Sequence, residues 1–341
     1  MTVRVGIINV TGFAGMEAAR LLWGHPSAQL VAATGRSLAG QGLGDAFPHL
    51  ALYRDLRIEP EITADVDIVL SAMPTSESAA VCTPFIRAGV PVVDIAADFR
   101  LKDPAAFEEW FGKPHPAPEF LPRAVYGLPE LHREAIQSAK LVANPGCYPE
   151  AAILALAPAV AAGIISDQVI VDAKSGISGA GRGTGGGFGY ADVNEDVSAY
   201  KLEGHNHQPE MVQELGSLRE APPPRVTFVP HLVPMTRGVH ATCYAPLARE
   251  VSGTELRGLY AEFYADAPFT RVVATPPHTK HTLGSNLCLV HPAVDERNGM
   301  LVAIGVLDNL VKGAAGQAIE NMNLMLGLGQ EAGLSLPGVY P

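Results

Sequence analysis

The chain has 341 residues, 48% of them hydrophobic and 17% charged, which is enough apolar material for about two folded domains and is not a disorder-prone composition. A net charge of −11, from 24 Lys and Arg against 35 Asp and Glu, argues against a nucleic-acid binder and against docking on anionic membranes or strongly acidic proteins. No stretch reaches the roughly 18 apolar residues of a membrane span, the N-terminus lacks a signal-peptide layout, and four widely spaced cysteines (Cys82, Cys147, Cys243, Cys288) fit a reducing cytosol better than a disulfide framework.

Val3–Ile8 is a β-branched run that predicts a buried strand, and Gly15–Trp23 follows with helical spacing. Leu30–Thr34, Val66–Ala72 and Val90–Ile95 predict further strands, with a helix over Glu77–Ala88. Such alternation predicts a parallel sheet covered by helices on both faces. Residues 101–135 are rich in Pro and aromatic side chains and read as an excursion. Lys140–Ala143 predicts one more short strand, and a helix runs from Pro149 to about Ala162. Beyond it, Gln168–Ala173, Arg225–Pro230, Val239–Pro246, Leu287–His291 and Leu301–Leu307 are strand-like, and Leu256–Tyr264 is helical. That balance predicts an α+β second domain with a mainly antiparallel sheet. From Asp308 to about Leu326 the pattern is helical again, with Leu310, Ala314, Ala318, Met322 and Met325 near one face.

The first strand runs into Asn9-Val10-Thr11-Gly12-Phe13-Ala14-Gly15, an approximation to a G-x-x-G-x-x-G phosphate-binding turn. Asn9 occupies the first glycine position, and Asn tolerates left-handed backbone better than other non-glycine residues. Gly12 lets the backbone approach a pyrophosphate at the helix N-terminus. Where an acidic residue would bind the ribose of NAD, the chain has Arg36 and Ser37, which suit the 2′-phosphate of NADP.

Asn144-Pro145-Gly146-Cys147-Tyr148-Pro149 places a cysteine between a strand and a helix. A thiol there sees unpaired N–H groups and the positive end of the helix dipole, which stabilise a thiolate nucleophile. Gly204-His205-Asn206-His207-Gln208-Pro209-Glu210 offers two imidazoles and a carboxylate. By themselves these residues leave open a metal site, general acid–base chemistry or a solvated surface, although no further ligands with zinc-like spacing accompany them. The loop from Asp172 through Lys174, Ser175 and Gly176 to Arg182 is rich in backbone donors and suits an anion or a reacting carbonyl oxygen.

Taken in order, Thr11–Gly15, Ala97–Leu101, Val125–Glu130, Asn144–Pro149, Lys174–Arg182, His205–Glu210, Pro230–Gly238, Gly284–Asn286 and Asp308–Gln317 resemble the N-acetyl-γ-glutamyl-phosphate reductase family, which is related to aspartate-semialdehyde dehydrogenase. The resemblance spans nearly the whole chain. It implies an α/β Rossmann domain with a parallel sheet (residues 1–147, completed by a C-terminal helix within 308–341) and an α+β catalytic domain (148–307) that also carries oligomerisation. It further implies a cytoplasmic, NADPH-dependent oxidoreductase of arginine biosynthesis that acts on a small acyl phosphate through a Cys147 thioester, as a homodimer or homotetramer, with no metal, nucleic acid or membrane partner.

The same resemblance assigns residues. His205 is the acid–base group, with Cys147 the nucleophile. Arg100, Ser175, His207 and Glu210 hold or orient substrate. Thr11, Gly12, Phe13, Ala14, Gly15, Arg36, Ser37, Gly176 and Asn286 contact the cofactor. Three positions depart from the family pattern: Asn9 for Gly, Glu150 for Thr or Ser, and Asn206 for Arg. They bear on cofactor affinity, on the charge next to the thiol and on substrate choice, respectively. The nearest alternative is the lysine-pathway homologue that reduces a carrier-bound aminoadipyl phosphate, whose acidic carrier prefers a basic docking face. Aspartate-semialdehyde dehydrogenase is disfavoured by the Cys-Tyr-Pro and His-x-His-x-Pro-Glu patterns, and a non-catalytic NADP-binding regulator by the joint presence of Cys147, His205 and Lys174.

Overall fold

The computed structural model describes residues 2–182 and 189–341; residues 183–188, inside the glycine-rich stretch 179–189, lie outside the described residues. The chain forms two compact units, Met1–Pro145 with Ala314–Leu336, and Gly146–Gly313 with Pro337–Pro341. These limits fall a few residues from the divisions at 147/148 and 307/308 expected from sequence, so Cys147 and Asp308–Gly313 belong to the second unit.

In the first unit seven strands pair in parallel: β1 (Val3–Ile8), β2 (Ala28–Thr34), β3 (Ile58–Glu59), β4 (Ile68–Ser71), β5 (Val92–Asp94), β6 (Val125–Tyr126) and β7 (Leu141–Ala143). Their order is β3-β2-β1-β4-β5-β7-β6. Val5, Ile7, Ile68, Val69, Leu70, Val92 and Val93 have no exposed surface, as expected for strands covered on both faces. Strand order reverses between β1 and β4, and in open parallel sheets ligands bind at the carboxyl ends of the strands beside such a switch.

The 101–135 excursion is more regular than its composition predicts. Asp103 caps a Pro104–Phe111 helix by accepting from the Ala105 amide (2.8 Å), and a second helix covers Pro129–Ser138. Phe107, Phe120 and Leu121 are buried, and His115 packs its ring between Phe99 and Phe107. The aromatic side chains thus form a local core. The Gly316–Met325 helix also lies in this unit and buries polar residues along with apolar ones. Asn321 Nδ2 donates to the Gly127 carbonyl (2.9 Å) and to Asn144 Oδ1 (3.1 Å), and Asn323 Oδ1 lies 2.9 Å from His25 Nε2. These bonds offset the cost of burying amides.

The second unit is built on a mixed sheet of β8 (Gln168–Gly176), β9 (Ser198–Ala199), β10 (Arg225–Val233), β11 (Val239–Pro246), β12 (Thr270–Val272), β13 (Cys288–Asp295) and β14 (Met300–Leu307). The order is β12-β13-β14-β11-β8-β10-β9; β8 with β10 and β12 with β13 run parallel, and the remaining pairs are antiparallel. Burial alternates along β11, β13 and β14, so one face is core and the other half-buried. The core face carries the Cys147–Ala161 helix, which is buried from Tyr148 to Val160. Among the described residues no helix is long and apolar enough to cross a membrane.

Pro158 lies inside that buried helix and has no N–H for the carbonyl four residues earlier, that of Leu154. The Tyr264 hydroxyl donates to it instead. Replacing Tyr264 by Phe leaves a buried carbonyl short of its donor, and unfolding in urea is expected to show a loss of about 1–3 kcal/mol.

Candidate active site and cofactor cleft

Cys147 is the first residue of its helix, preceded by Gly146 in extended backbone and followed by Pro149, which needs no hydrogen-bond partner in a first turn. Cys147 is half-buried, whereas Cys82, Cys243 and Cys288 are buried. Burial raises the thiols of Cys82 and Cys243, so they stay protonated and inert. The turn before Cys147 is pinned by Glu210, whose Oε2 accepts from the Gly146 amide (3.1 Å). Glu210 is itself buried in the first turn of the Gln208–Gly216 helix.

The same carboxylate lies 4.0 Å from His207 Nε2. His205 packs beside His207 (ring centroids 4.6 Å apart) in an aromatic box of Tyr148, Tyr200 and Phe228. Its Nδ1 accepts from the His207 amide (3.0 Å), so the neutral ring carries its proton on Nε2. Burial, with a smaller contribution from Lys201, pushes the imidazole down to about 4. His205 is therefore a neutral hydrogen-bond donor at pH 7. The Tyr148 hydroxyl donates to the His231 carbonyl (2.8 Å), and that of Tyr200 to Tyr148 (3.4 Å). Burial raises both phenols, with the charge of Cys147 contributing.

Ser175 and Gly176 end β8 in the second unit; Ser175 is buried, and the Gly176 amide donates to the Gly238 carbonyl (2.9 Å). Strand alternation sends Lys174 to the opposite face, where it pairs with Asp172 at 2.6 Å. Asn286 is buried in the loop before β13. Sequence reasoning missed Tyr200, Asp308 and Asn309. Asp308 accepts from the amides of Gly284, Leu310 and Val311. Asn309 accepts from the Gly238 amide (2.7 Å) and donates to Ser178 Oγ (2.9 Å). An Asp-Asn pair where a strand gives way to a helix is the available signal, since such side chains cap orphan amides. Among the described residues no cluster of three or more His, Cys, Asp or Glu side chains could hold a metal.

The first unit holds the glycine turn. Asn9 has a φ of 62°, the left-handed backbone expected of it. Its side chain donates to the Ala72 carbonyl (2.8 Å) and accepts from Thr11 Oγ1 (3.0 Å), tying the turn to the end of β4. Gly15 lets the helix start close against β1, because a Cβ there would lie 2.4 Å from the Asn9 carbonyl oxygen. Gly12 is the N-cap of the Phe13–Trp23 helix and supplies no side-chain cap. Beside the turn lies a cavity of about 800 Å³ whose lining includes polar and charged residues (Asn9, Thr11, Arg36, Ser37, Glu61, Asp65) and apolar ones (Ile62, Val81, Phe85). Arg36 is exposed at this cavity and pairs with Glu77 (3.1 Å). A capless helix start, a close-approach glycine and a cavity lined by both polar and apolar side chains fit a dinucleotide. Arg100, also in this unit, donates from Nε to the Asn144 carbonyl (2.7 Å) and from Nη2 to that of Ile95 (2.8 Å).

Residues 4–139 match the family model described as semialdehyde dehydrogenase, NAD binding domain, and residues 147–309 that described as semialdehyde dehydrogenase, dimerisation domain. The N-acetyl-gamma-glutamyl-phosphate reductase of Dehalococcoides mccartyi (strain ATCC BAA-2266 / KCTC 15142 / 195) is 51% identical over 338 residues, covering 99% of each chain. The protein of the same name from Symbiobacterium thermophilum is 48% identical over 349 residues, covering 100% of each. Among solved structures, aspartate semialdehyde dehydrogenase II from Vibrio cholerae superposes with a TM-score of 0.72 at 18% identity, covering 96% of this chain and 99% of that one. The Candida albicans aspartate semialdehyde dehydrogenase with NADP gives a TM-score of 0.70 at 16% identity, with the same coverage. The fold is that of the semialdehyde dehydrogenases, with a nicotinamide-dinucleotide-binding unit, and the chain belongs to the N-acetyl-gamma-glutamyl-phosphate reductase family.

Proposed function

We propose that the protein reduces N-acetyl-γ-glutamyl phosphate to N-acetylglutamate semialdehyde, with release of phosphate, using NADPH and a thioester on Cys147. The observation that carries this reading is the placement of Cys147 at a helix start whose preceding amide is pinned by buried Glu210, in one unit with the His205 box. The substrate is the one for which relatives that match the chain end to end are named. Those matches do not favour the carrier-bound aminoadipyl phosphate alternative.

The Cys147 thiolate attacks the acyl carbon; a C–S bond forms, the C–O bond to phosphate breaks, and phosphate leaves. Helix-start amides around Cys147 favour the thiolate and the oxygen charge that develops beside it. A nicotinamide cofactor, when bound, would supply the hydride for reduction of the thioester carbon. His205 donates a hydrogen bond from Nε2 to the oxygen of the resulting hemithioacetal anion and stabilises its charge, while the His207 amide fixes the tautomer. Collapse breaks the C–S bond, frees the aldehyde and restores the thiolate. Glu210 orients the Gly146 turn and His207. In this reading His207 and Ser175 contact substrate, Arg100 receives its phosphate, and Gly176 and Asn286 meet the nicotinamide end.

Thr11 to Gly15 would hold the pyrophosphate at the helix start, and Arg36 with Ser37 would bind the 2′-phosphate once Arg36 turns from Glu77. The dimerisation-domain match and the half-buried sheet face bearing Thr242, Tyr244, Val302 and Ile304 support a homo-oligomer. A catalytic thiolate suits the reducing cytosol.

Cys147→Ser is expected to abolish nearly all turnover while leaving the Kd for NADPH close to the parent value; substantial remaining turnover would rule out the covalent route. For the cofactor, titrations with both dinucleotides should show Arg36→Ala weakening NADPH at least about tenfold more than NADH, the equivalent of one charge-assisted hydrogen bond. Equal losses would assign Arg36 to the shared part of the molecule. His205→Asn should lower kcat by about 10²–10⁴-fold. The same variant carries a stability signature. Burial holds the native imidazole down at about 4 against an ordinary 6.5, so the unfolded chain binds more protons between those values and the native state loses stability as pH falls through that window. His205→Asn should flatten that acid limb in denaturant titrations at pH 4 to 7.

A further inference from the structure

Glu150 and Lys312 are both fully buried, with Lys312 Nζ 3.7 Å from Glu150 Oε1. Glu150 lies one helical turn after Cys147, on the same side of the helix, and its amide donates to the Gly146 carbonyl (2.9 Å). Lys312 follows the Asp308 cap, and its ammonium stands 5.9 Å from the centroid of the Phe269 ring. The next residue, Gly313, touches the nucleophile itself: a Cβ there would lie 2.7 Å from Cys147 Cβ. Glycine is thus required where this stretch passes the thiol. Removing two charges from water costs several kcal/mol per ion, and an unpaired buried charge is worse still. A carboxylate one turn from a thiolate would also repel it. The ammonium answers both problems.

We propose that Glu150 and Lys312 act as one positioning unit, a buried and internally neutral ion pair that seats Lys312-Gly313 against Cys147 and keeps the net charge beside the thiol at zero. This rests on the reading of Cys147 as nucleophile but needs no particular acyl group. Ionisable groups on the elements packed around this turn include Tyr148 on the same helix, Tyr200, His205 and His207 from the box, Glu210 beneath the turn and Asp308 ahead of Lys312. All of them stay in place in the variants below, so changes report on the pair.

The test uses Glu150→Leu, Lys312→Met and the double variant, with Glu150→Gln as a milder break should Glu150→Leu not fold. Iodoacetamide labelling of Cys147 is followed from pH 5 to 9 by peptide mass mapping, and kcat and KM are measured alongside. Loss of Glu150 leaves the ammonium alone and should raise the labelling rate at pH 7 by about threefold or more. Loss of Lys312 leaves the carboxylate alone and should lower it by a similar factor. The double variant should return to the parent profile and recover kcat, since apolar replacement of a buried pair is often neutral for stability. Single variants that shift the profile in the same direction or not at all, or a double variant worse than either single, would overturn the proposal. These outcomes are independent of the fate of Cys147→Ser, which tests the nucleophile itself.

Discussion

A helix that is apolar on every side must be buried along its length, and only its ends remain for polar chemistry. The Cys147–Ala161 helix is such an element, with Tyr148 to Val160 all buried against the mixed sheet. Its position follows from hydrophobic burial, and the location of the thiol follows from that position. The surrounding polar groups serve this end of the helix: Glu210 on the Gly146 amide, Tyr148 on the His231 carbonyl, and Gly313 against Cys147 Cβ. Even the helix interior is accommodated from outside, through the Tyr264 hydroxyl on the carbonyl that Pro158 orphans.

The first unit obeys a different constraint. Its strands are buried on both faces, so ligand chemistry is displaced to the loops at their carboxyl ends. Asn9 shows how one side chain can replace a glycine there. It accepts the left-handed backbone and adds bonds that a glycine could not make, to Ala72 and Thr11. Beside this turn the exposed Arg36 guanidinium is paired with Glu77, and exposed pairs of this kind are worth little, so Arg36 can exchange partners at small cost.

Sequence periodicity was a good guide wherever one residue's neighbours decided its environment. β1, β11 and β14 match their expected runs to within a residue, and the helix expected from Pro149 starts two residues earlier, at Cys147. Two- and three-residue strands such as β3, β6, β9 and β12 carry no period to read. The 101–135 region is more helical than its composition suggests because Pro104 and Pro129 sit at helix starts, where proline is tolerated. Cys147 and the His205–Glu210 cluster were visible as motifs. The partnership of Glu150 with Lys312 was not, since 162 residues of chain separate them and only the fold brings the charges together. Glu150 alone therefore read as added negative charge, whereas the structure shows it matched by an ammonium. Lys174 and its motif neighbour Ser175 lie on opposite faces of the strand, a separation that the motif alone does not reveal.

In the proposed route Cys147 carries the acyl group. The most direct measurement is the intact and peptide mass of the enzyme mixed with N-acetyl-γ-glutamyl phosphate in the absence of NADPH. A single N-acetylglutamyl adduct on the Cys147 peptide, discharged when NADPH is added and absent from Cys147→Ser, is the predicted result. An enzyme that turns over the substrate yet forms no adduct at Cys147, or forms it on another residue, would contradict the account.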